Sequence, residues 1–395
     1  MSAVGRTQVG IVGAGPAGLL LGHLLAREGI ESVVLEARSR AYVEQRVRAG
    51  VLEQGTVDLL KANDLGERLA REGLVHEGLE LRFDGVGHRI PLAELTGGRA
   101  ITVYGQRKVV ADLTDARLAA GGELLFEVGD VSLHDIDSDA PSIRFRHDGA
   151  DHELRCEIIA GCDGYHGVSR EAIPSGAVQV YAREYPFAWL GILAEAPPST
   201  EELIYCHHER GFALHSLRSP EHSRLYLQCD PADELGAWPD ERVWKELQTR
   251  FATRNGFTLN EGPVVDKLIT PMRSVVVDPM QHGRLFLAGD AAHTVPPTGA
   301  KGLNLAVNDV RILASALTDW FASGDSEGIA RYSAQCLDKV WRVQHFSWWM
   351  TSMLHRPAGR DPFEHKLQRA QLRYVTRSRA AATTLAENYV GLASA

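Results

Sequence analysis

Short apolar runs alternate with helical patterns in the first part of the chain. Val9–Val12 is a brief apolar run, and an Ala- and Leu-rich helical pattern follows it. Further apolar strands are predicted at 32–35 and at 158–161, and a turn follows each of them. Strands and helices that alternate in this way predict a parallel sheet covered by helices, from Thr7 to about Gly167.

A different pattern occupies about residues 181–270. Apolar and polar residues alternate there with period two, as in 212–218 and 224–228, and this predicts antiparallel strands. An amphipathic helix is predicted within the block, at 240–254. After Gly302 the pattern is mainly helical.

A chain of 395 residues exceeds one ordinary hydrophobic core, so we expect closely joined domains. The fold class that these patterns predict is α/β with α+β elements. A Rossmann-like nucleotide-binding domain at 1–178 would carry an inserted antiparallel-sheet domain at 179–272. The remainder, 273–395, would complete the nucleotide site and form a helical C-terminal region.

The turn after the first strand carries the pattern of a dinucleotide-binding site. Gly13 permits a tight strand-to-helix turn, Gly15 lets a pyrophosphate approach the backbone, and Gly18 allows close packing of helix on strand. The helix N-terminus offers N–H groups and a positive dipole end to the phosphates. Glu36, at the end of the next strand, is placed to accept hydrogen bonds from an adenosine ribose.

A second nucleotide signal lies at 283–304. An apolar strand leads there into the acidic turn Gly289-Asp290, and a glycine-punctuated helix start follows and ends at Asn304. This block turns a general nucleotide-binding prediction into a flavin-binding one.

Composition and charge narrow the class of protein. Apolar residues make up 44% of the chain and charged residues 24%, which are values of globular proteins. The formal net charge of −9 gives no broad attraction to nucleic acid, so we expect no nucleic-acid partner. No uninterrupted apolar stretch is long enough to span a bilayer, so we expect no membrane partner. The first apolar run carries glycines at fingerprint positions, and we interpret it as structure with no targeting segment.

Cysteine usage indicates a reducing compartment. The five cysteines include no C-x-x-C pair and suit free thiols better than a disulfide frame or a zinc site. His207-His208 has no third ligand at metal spacing, so we predict no metal site. We therefore expect a soluble, cytoplasmic protein.

Three separated motifs, at 13–18, 161–164 and 289–290, resemble those of the group A aromatic-ring flavoprotein hydroxylases. The resemblance extends from about Thr7 to Leu392. It includes further blocks at 46–55, 73–78, 103–106, 210–214, 279–283, 289–304 and 387–391.

The resemblance implies an FAD-dependent monooxygenase whose first domain is an FAD-binding domain. Such an enzyme would use NADH or NADPH and O2 to hydroxylate 4-hydroxybenzoate ortho to its hydroxyl group, giving 3,4-dihydroxybenzoate. One alternative is a hydroxylase of a related phenolic acid such as 3-hydroxybenzoate. Another is a non-catalytic dinucleotide-binding protein, because a fold does not fix a function. Family analogy also implies a homodimer.

For FAD, the resemblance implies a set of contacts drawn from several turns and one helix start. Asp290 would cap the ribityl chain, and the N-terminus of the helix that contains Leu303 and Asn304 would meet the flavin ring. A helix N-terminus suits that place because reduced flavin is anionic. The complete predicted set is Gly13, Gly15, Ala17, Gly18, Glu36, Arg46, Val47, Arg48, Ala49, Gly50, Val51, Gln106, Asp290, Leu303 and Asn304.

A carboxylate receptor is predicted on one strand. Ser216 and Arg218 lie two residues apart, so their side chains share a face of the strand, and a guanidinium can donate two parallel hydrogen bonds to a carboxylate. The resemblance implies that Tyr226, on the neighbouring strand, completes this receptor.

At the phenol end, the resemblance implies a proton relay. Tyr205 would hydrogen-bond the substrate hydroxyl and pass its proton to Tyr389, and His76 would be the outlet to solvent. The Pro297 carbonyl would also contact that hydroxyl. Tyrosine both donates and accepts hydrogen bonds, so two of them can relay a proton. A phenolate ring is a far better nucleophile than a phenol.

The nicotinamide donor is where the sequence departs from the family pattern. Well-known NADPH-using members carry arginine directly after the acid that matches Glu36, and this chain has Ala37 there. A 2′-phosphate needs a suitably placed guanidinium, so the donor could be NADH, NADPH or both. The residues that the resemblance implies for donor binding are Arg38, Tyr42, Arg48, His166, Arg170 and Arg273.

Overall fold

The structure, a computed structural model, describes residues 4–45, 50–357, 359 and 361–392. The strands of the described residues are β1 Val4–Arg6, β2 Val9–Val12, β3 Ser32–Leu35, β4 Val51–Leu52, β5 Leu74–His76, β6 Leu79–Phe83, β7 Val86–Ile90, β8 Ile101–Val103, β9 Glu123–Leu125, β10 Gly129–His134, β11 Ser142–His147, β12 Ala150–Arg155, β13 Ile158–Gly161, β14 Gln179–Ala194, β15 Leu203–Cys206, β16 Ala213–Ser219, β17 His222–Cys229, β18 Val264–Asp278, β19 Gln281–His282, β20 Leu285–Leu287 and β21 His293–Thr294.

The α-helices in the same ranges are α1 Pro16–Arg27, α2 Arg40–Gln45, α3 Gln54–Ala62, α4 Glu67–Glu72, α5 Leu92–Leu95, α6 Gln106–Ala119, α7 Asp240–Phe251, α8 Gly302–Ser323, α9 Glu327–Leu354, α10 Pro362–Arg377 and α11 Arg379–Val390. Short 3-10 helices lie at Leu235–Ala237, Gly289–Ala291 and Pro297–Gly299. The mixed α/β fold predicted from the sequence is confirmed, as is its helical C-terminal region.

A six-stranded sheet with the order β19-β20-β13-β2-β3-β9 forms the nucleotide-binding half. Its strands from β20 to β9 are parallel, and β19 is antiparallel to β20. Strands β2, β3 and β13 coincide with the runs predicted from the sequence. Their residues are buried throughout. Helix α1 packs against this sheet, and β11 of the four-stranded sheet also approaches it, since a Cβ at Gly10 would lie 2.7 Å from the Ile143 side chain. Helix α1 contacts both α6 and α8, so the start of the chain and α8 belong to one core.

An eight-stranded sheet with the order β21-β18-β14-β17-β16-β15-β6-β7 forms the other half. The predicted antiparallel strands correspond to β16 and β17. Helix α7 ends at Phe251, before the predicted position 254, because the backbone at Ala252 is already extended, with ψ 137°.

The two faces of this sheet pack against different partners. Along β14, Leu190 and Ile192 face the helix α7 side, whereas Phe187 and Trp189 face the C-terminal helices. This alternation follows the period-two geometry of a strand. The second face carries Tyr205 and is therefore the face toward which the candidate site opens.

The sheet draws strands from more than one part of the sequence. Strands β6 and β7 and the short β21 lie outside residues 179–272, yet they hydrogen-bond into the sheet. The boundaries 1–178, 179–272 and 273–395 stay a prediction. Two smaller sheets have the orders β1-β12-β11-β10 and β4-β8-β5.

Within the described ranges, no helix is long and apolar enough to cross a membrane. The same part of the chain contains no group of three or more His, Cys, Asp or Glu side chains placed to hold a metal ion. All five cysteines are buried free thiols.

Candidate active site

The turn between β2 and α1 has the geometry that a pyrophosphate site requires. Gly13 has φ +104°, which favours glycine, and a Cβ there would lie 2.5 Å from the Cys162 carbonyl oxygen. A Cβ at Gly18 would lie 1.9 Å from the Gly13 carbonyl oxygen, so helix and strand can approach only with glycine. At Gly15 a Cβ would meet no atom within 4 Å. The backbone at Gly15 therefore borders open space, which fits the predicted approach of FAD.

Glu36 extends from the end of β3 back to this turn. Its Oε2 accepts the backbone N–H of Ala14 at 2.8 Å, and its Oε1 accepts that of Arg38 at 2.8 Å. The carboxylate thereby joins the glycine turn to the segment after β3. Each oxygen keeps acceptor capacity for a ribose hydroxyl.

The turn at Gly289-Asp290 is supported from beneath by a buried pair. Asp309 Oδ2 on α8 accepts the Gly289 N–H at 3.0 Å and lies 2.6 Å from His293 Nε2. Burial opposes protonation of His293, but the charge and hydrogen bond of Asp309 outweigh it and raise the pKa of this histidine. The pair holds the backbone of the turn that contains Asp290 in place.

The start of α8 is tied to the chain around β4. The Asn304 side chain accepts the Glu53 N–H at 2.9 Å and the Thr56 hydroxyl at 2.8 Å, and it donates to the carbonyls of Val51 and Ala300. Because the side chain is used in this way, a contact of this residue with the flavin ring would come from its backbone. The first N–H groups of a helix have no intrahelical acceptor, and a Cβ at Gly302 would meet nothing within 4 Å. This opening fits a flavin ring.

A buried ion pair lies beside Asn304. Lys301 Nζ donates to Glu53 Oε1 at 2.6 Å and to the Tyr389 carbonyl at 2.9 Å. Burial lowers the pKa of Lys301, and the Glu53 carboxylate opposes that shift. The pair joins α8 to β4 on one side and to α11 on the other.

Between this region and the eight-stranded sheet lies a cavity. It brings together five residues that the sequence analysis assigned to the substrate, Tyr205, Ser216, Arg218, Tyr226 and Pro297. Gly50 and Val51, which were predicted to line FAD, border the same cavity. The remaining lining residues are Val103, Trp189, Leu203, Leu214, Arg224 and Ala300.

Strand register explains why these side chains converge. Leu214 pairs with Tyr226 and Ser216 pairs with Arg224 across β16 and β17, and residues paired in this way share a face. On the next strand Gly191 lies opposite Tyr226, and a Cβ there would fall 2.8 Å from the Arg224 guanidinium. The missing side chain at Gly191 leaves room for the arginine.

Arg218 is one of the residues that line the cavity. Burial lowers its pKa; the Tyr226 hydroxyl opposes the shift and the neighbouring Arg224 adds to it. A Cβ at Gly105 would lie 3.1 Å from the Arg218 Cζ, so the guanidinium rests directly on that glycine. Among the described residues that line the cavity, the charged ones are Arg218 and Arg224. The cavity is therefore cationic and suits a carboxylate.

Tyr205, which lines the cavity, is paired with Tyr389. The Tyr205 and Tyr389 hydroxyl oxygens are 2.5 Å apart, and both residues are only 1% exposed. Burial, followed by the influence of Tyr389, raises the pKa of Tyr205 well above its usual value, and burial also raises that of Tyr389. Both therefore stay protonated, and the hydrogen bond between them offers a path for a proton.

His76 occupies a different environment from the one its predicted role suggests. It ends β5, is 1% exposed, and neither ring nitrogen has a hydrogen-bond partner among the described residues. Burial lowers the pKa of His76 to about 4. Its side chain does not reach the surface, so a proton would need water to continue beyond it. The role of His76 in the relay stays a prediction.

Three of the predicted donor-binding residues gather around Tyr165. The Arg170 and Arg273 guanidinium carbons lie 4.8 and 4.6 Å from the centre of its ring, and His166 meets the ring edge at 4.8 Å. Arg170 also donates to the Tyr165 carbonyl at 2.8 Å. The cluster presents two cations, which suits an anionic dinucleotide.

Other residues predicted to bind the nicotinamide donor lie in the segment after Glu36. Arg38 lies over the Tyr42 ring at 5.4 Å, and Ala37 is exposed. Arg40 is already engaged with Glu44 and Asp115. The predictions for Arg46, Val47, Arg48 and Ala49 lie outside the described residues.

The remaining predicted FAD residues lie near the cavity or the nucleotide turn. Gln106 is the first residue of α6. A Cβ at Gly50 would come within 2.2 Å of the Tyr104 carbonyl, so β4 passes very close to the start of α6. Ala17 is buried on α1, and Leu303 is half-buried on α8.

Several residues of the site were not found from the sequence. They are Glu53, Tyr165, Trp189, Arg224 and Lys301. Arg224 carried a usable signal, because it lies two residues before Tyr226 and so shares its face. The others depend on contacts between distant parts of the chain.

Comparison with known proteins agrees with this geometry. The family described as FAD binding domain matches residues 6–347. The chain is 49% identical over 387 residues to p-hydroxybenzoate hydroxylase from Acinetobacter baylyi, which covers 98% of this chain and 96% of that one. It is 27% identical to 3-(3-hydroxy-phenyl)propionate/3-hydroxycinnamic acid hydroxylase from Mycobacterium avium, over 77% of this chain and 53% of the relative. The crystal structure of p-nitrophenol 4-monooxygenase PnpA from Pseudomonas putida DLL-E4 has a TM-score of 0.84 at 19% identity and covers 99% of this chain and 100% of that one.

The glycine turn yields a test that separates cofactor contact from folding. In Gly15→Ala the added methyl enters the open space, so we expect weaker FAD binding and an unchanged melting temperature of the FAD-free protein. In Gly18→Ala the methyl would meet the Gly13 carbonyl at 1.9 Å, so we expect the FAD-free protein itself to lose stability. FAD titration by fluorescence and thermal unfolding of both apoproteins measure this. The control for a glycine outside the site is Gly129→Ala on β10, where a Cβ would meet nothing within 4 Å. Equal losses of apoprotein stability in both variants would contradict the assignment.

Proposed function

The chain belongs to the FAD-binding group A flavoprotein hydroxylases, and on that premise we propose that it hydroxylates 4-hydroxybenzoate ortho to its hydroxyl group, giving 3,4-dihydroxybenzoate. The protein is a flavoprotein monooxygenase with FAD as its cofactor. The observation that carries the choice of substrate is one cavity that is lined both by the cationic receptor and by Tyr205, whose hydroxyl is hydrogen-bonded to that of Tyr389.

The carboxylate of the substrate would bind at Arg218. Ser216 and Tyr226 offer hydroxyl groups on the same face of the sheet, so the receptor combines a guanidinium with two neutral donors. Buried and cationic, this receptor has a strong preference for an anion.

The hydroxyl group of the substrate would meet Tyr205. The Tyr205 hydroxyl would accept the proton of the phenol and donate its own to Tyr389, and Tyr389 would release its proton through water toward His76 and solvent. The ring would thereby gain phenolate character, and neither tyrosine would keep a charge. Pro297 borders the cavity near the start of α8, and its carbonyl, which also accepts the Ala300 N–H at 2.9 Å, would be a second acceptor for the same hydroxyl. Side-chain and backbone groups of the protein thus activate the substrate by removing its phenolic proton.

FAD would be held by the turns already described. Gly15 would hold its pyrophosphate, Glu36 its ribose and Asp290 its ribityl chain, and the start of α8 would hold its ring. When bound and reduced, the cofactor supplies the electrons with which O2 is activated. Gly50 and Val51 line the substrate cavity, and the Val51 carbonyl accepts the Asn304 side-chain amide at the start of α8.

NADH or NADPH would reduce the cofactor, with the cluster around Tyr165 as its support. His166, Arg170 and Arg273 are the residues we assign to the donor there. Arg38 and Tyr42 would meet its adenosine end.

Two further proposals concern the oligomeric state and the cellular compartment. We propose a homodimer, on the analogy of the family. We place it in the cytoplasm, because five buried thiols without a disulfide suit a reducing compartment.

One assay tests the proposed function as a whole. Donor oxidation is followed with NADH and with NADPH over a panel of 4-hydroxybenzoate, 3-hydroxybenzoate and 3,4-dihydroxybenzoate, and the products are identified. We expect 4-hydroxybenzoate to stimulate donor oxidation most strongly and to give 3,4-dihydroxybenzoate. Product formed only from 3-hydroxybenzoate would favour a hydroxylase of a related phenolic acid.

Removing the receptor cation should weaken binding of the aromatic acid. In Arg218→Ala we expect a loss of about 2–5 kcal/mol, the range for a buried charge left without its partner, which is roughly 30-fold to several-thousand-fold in affinity. The change in flavin absorbance on titration with 4-hydroxybenzoate measures it. Arg144→Ala, on β11 in another sheet, is the matched control. A variant that binds as tightly as the parent would show that Arg218 is not the receptor.

Removing the first hydroxyl of the relay should separate oxygen consumption from hydroxylation. Tyr205→Phe should bind FAD and the aromatic acid but leave the phenol protonated, so reduced oxygen would leave mainly as hydrogen peroxide. We expect product formed per donor oxidised to fall steeply while oxygen uptake continues. Tyr185→Phe removes another largely buried tyrosine hydroxyl, which contacts Ser274 and not the cavity, and it should stay fully coupled. Unchanged coupling in the Tyr205 variant would exclude it as the partner of the phenol.

The segment after Glu36 should set the choice of donor. With alanine at position 37, we expect NADH to be used at least comparably to NADPH. Ala37→Arg should add a charge-assisted contact to the 2′-phosphate, worth about 1.5–3 kcal/mol, and leave NADH kinetics nearly unchanged. Comparison of kcat/KM for both donors measures it, with Ala37→Gln as the uncharged control. A parent that strongly prefers NADPH, or an unmoved ratio in the arginine variant, would place the selectivity elsewhere.

A further inference from the structure

His355, the residue directly after α9, is buried behind the wall of the substrate cavity. Trp189, which lines that wall, donates its indole N–H to His355 Nε2 at 2.6 Å. His355 Nδ1 lies 3.1 Å from the Thr351 carbonyl, so the neutral tautomer with its proton on Nδ1 satisfies both contacts. Burial lowers the pKa of His355 to about 3, so the ring stays neutral at ordinary pH and Nε2 remains an acceptor.

The Trp189 indole, held by His355, also contacts the carboxylate receptor. Trp189 leans against the Tyr226 ring with centroids 4.8 Å apart. On its other side Phe212 stacks on Trp189 at 5.2 Å and on His355 at 4.3 Å. Tyr226 thus contacts an aromatic cluster that includes His355 and continues to Phe187, which stacks on His355 at 4.6 Å.

One helical turn earlier, Thr351 contacts the loop Pro297–Gly299, which contributes Pro297 to the cavity wall. Its hydroxyl donates to the Thr298 hydroxyl at 2.8 Å, and both residues are at most 1% exposed. Thr298 directly follows Pro297, which lines the cavity. A Cβ at Gly299 would come within 3.0 Å of the Ser347 hydroxyl, so this loop rests on α9 itself.

The spacing between the two contacts is fixed by helical geometry. Thr351 and His355 are four residues apart, and the His355 N–H donates to the Thr351 carbonyl at 3.0 Å. Gln368 on α10 donates to the His355 carbonyl at 2.7 Å and holds the chain where it leaves the helix. Both contacts therefore belong to one rigid unit.

We propose that Thr351 and His355 are positioning residues that set the alignment of the substrate cavity, Thr351 through Thr298 at Pro297 and His355 through Trp189 at Tyr226. The inference rests on the proposed function only in that an aromatic acid occupies the cavity. It assigns the end of α9 a part in substrate alignment although neither residue lines the cavity.

The test uses the FAD-loaded enzyme and variants that separate hydrogen bond from volume. His355→Phe keeps a ring in the stack but removes the acceptor of the Trp189 N–H, and His355→Gln restores an acceptor. Thr351→Val removes the hydroxyl at nearly constant volume, and Thr351→Ser restores it. Two quantities are measured for each: the dissociation constant of the aromatic acid, from flavin absorbance, and product formed per donor oxidised at saturating acid.

The two positions should affect different quantities. His355→Phe should raise the dissociation constant about three- to tenfold, the equivalent of one lost hydrogen bond, and leave coupling near that of the parent. Thr351→Val should lower coupling at least twofold and change the dissociation constant less than twofold, because it acts where the phenol lies. His355→Gln and Thr351→Ser should each recover most of the loss.

Matched controls make the same types of substitution at positions outside the cavity wall. His152→Phe alters a histidine that also stacks on a phenylalanine, at 5.3 Å, and contacts a backbone carbonyl, and Thr114→Val alters a buried threonine on α6. Neither should move either quantity. Equal changes of both quantities in the His355 and Thr351 variants, no change, or no recovery in the conservative variants would overturn the proposal.

The same measurements keep this proposal apart from the proposed function. Binding is compared with 4-hydroxybenzoate, 3-hydroxybenzoate and 3,4-dihydroxybenzoate, and the variants are assayed with whichever acid the parent binds most tightly and hydroxylates. A parent that prefers another acid would revise the substrate and leave the positioning roles testable. A parent that hydroxylates 4-hydroxybenzoate and variants that match it would overturn the positioning roles alone.

Discussion

The buried contacts at the start of α8 are the constraint on which the cavity depends. Asn304 binds the chain around β4, and Lys301 joins Glu53 to the Tyr389 carbonyl, so three segments that are far apart in sequence meet at one place. A charge as deeply buried as that of Lys301 is tolerated only because its partners are present, and removal of one partner would be strongly destabilising. The helix start, the strand that borders the flavin region and the C-terminal tyrosine are therefore held relative to one another before any ligand binds.

Around this junction, the two halves of the molecule divide the chemistry between them. The parallel half supplies backbone: the N–H groups of a glycine turn, an acidic turn and a helix start. The antiparallel half supplies side chains, because paired strands place Leu214, Ser216, Arg224 and Tyr226 on one face. The cavity lies where these two surfaces meet, so a ligand there contacts backbone dipoles on one side and specific polar groups on the other.

The sequence predicted the local features well and the distant contacts poorly. The glycine turn and the strands around it were predictable because tight turns restrict the residues that can occupy them, as Gly13 illustrates with its φ of +104°. The convergence of Ser216 and Tyr226 followed from strand periodicity together with family resemblance. Glu53 and Lys301 are 248 residues apart, and no local pattern marks their contact. His76 was expected near solvent, but its burial depends on packing that a single strand does not reveal.

The long pairing of strands β14 and β18 limits how the antiparallel sheet could be exchanged between related proteins. The two strands are 16 and 15 residues long and pair from Gln179–Asp278 at one end to Ala194–Val264 at the other, with an irregularity between Glu184 and Ala188. Near the first end β14 is exposed, and farther along it is buried in the core of the large sheet. A chimera that exchanged the antiparallel sheet between relatives would cut through this ribbon unless both strands travelled together. Recombination within the fold is therefore confined to paired crossovers, and substrate range would evolve more readily by substitution within the cavity than by exchange of the sheet.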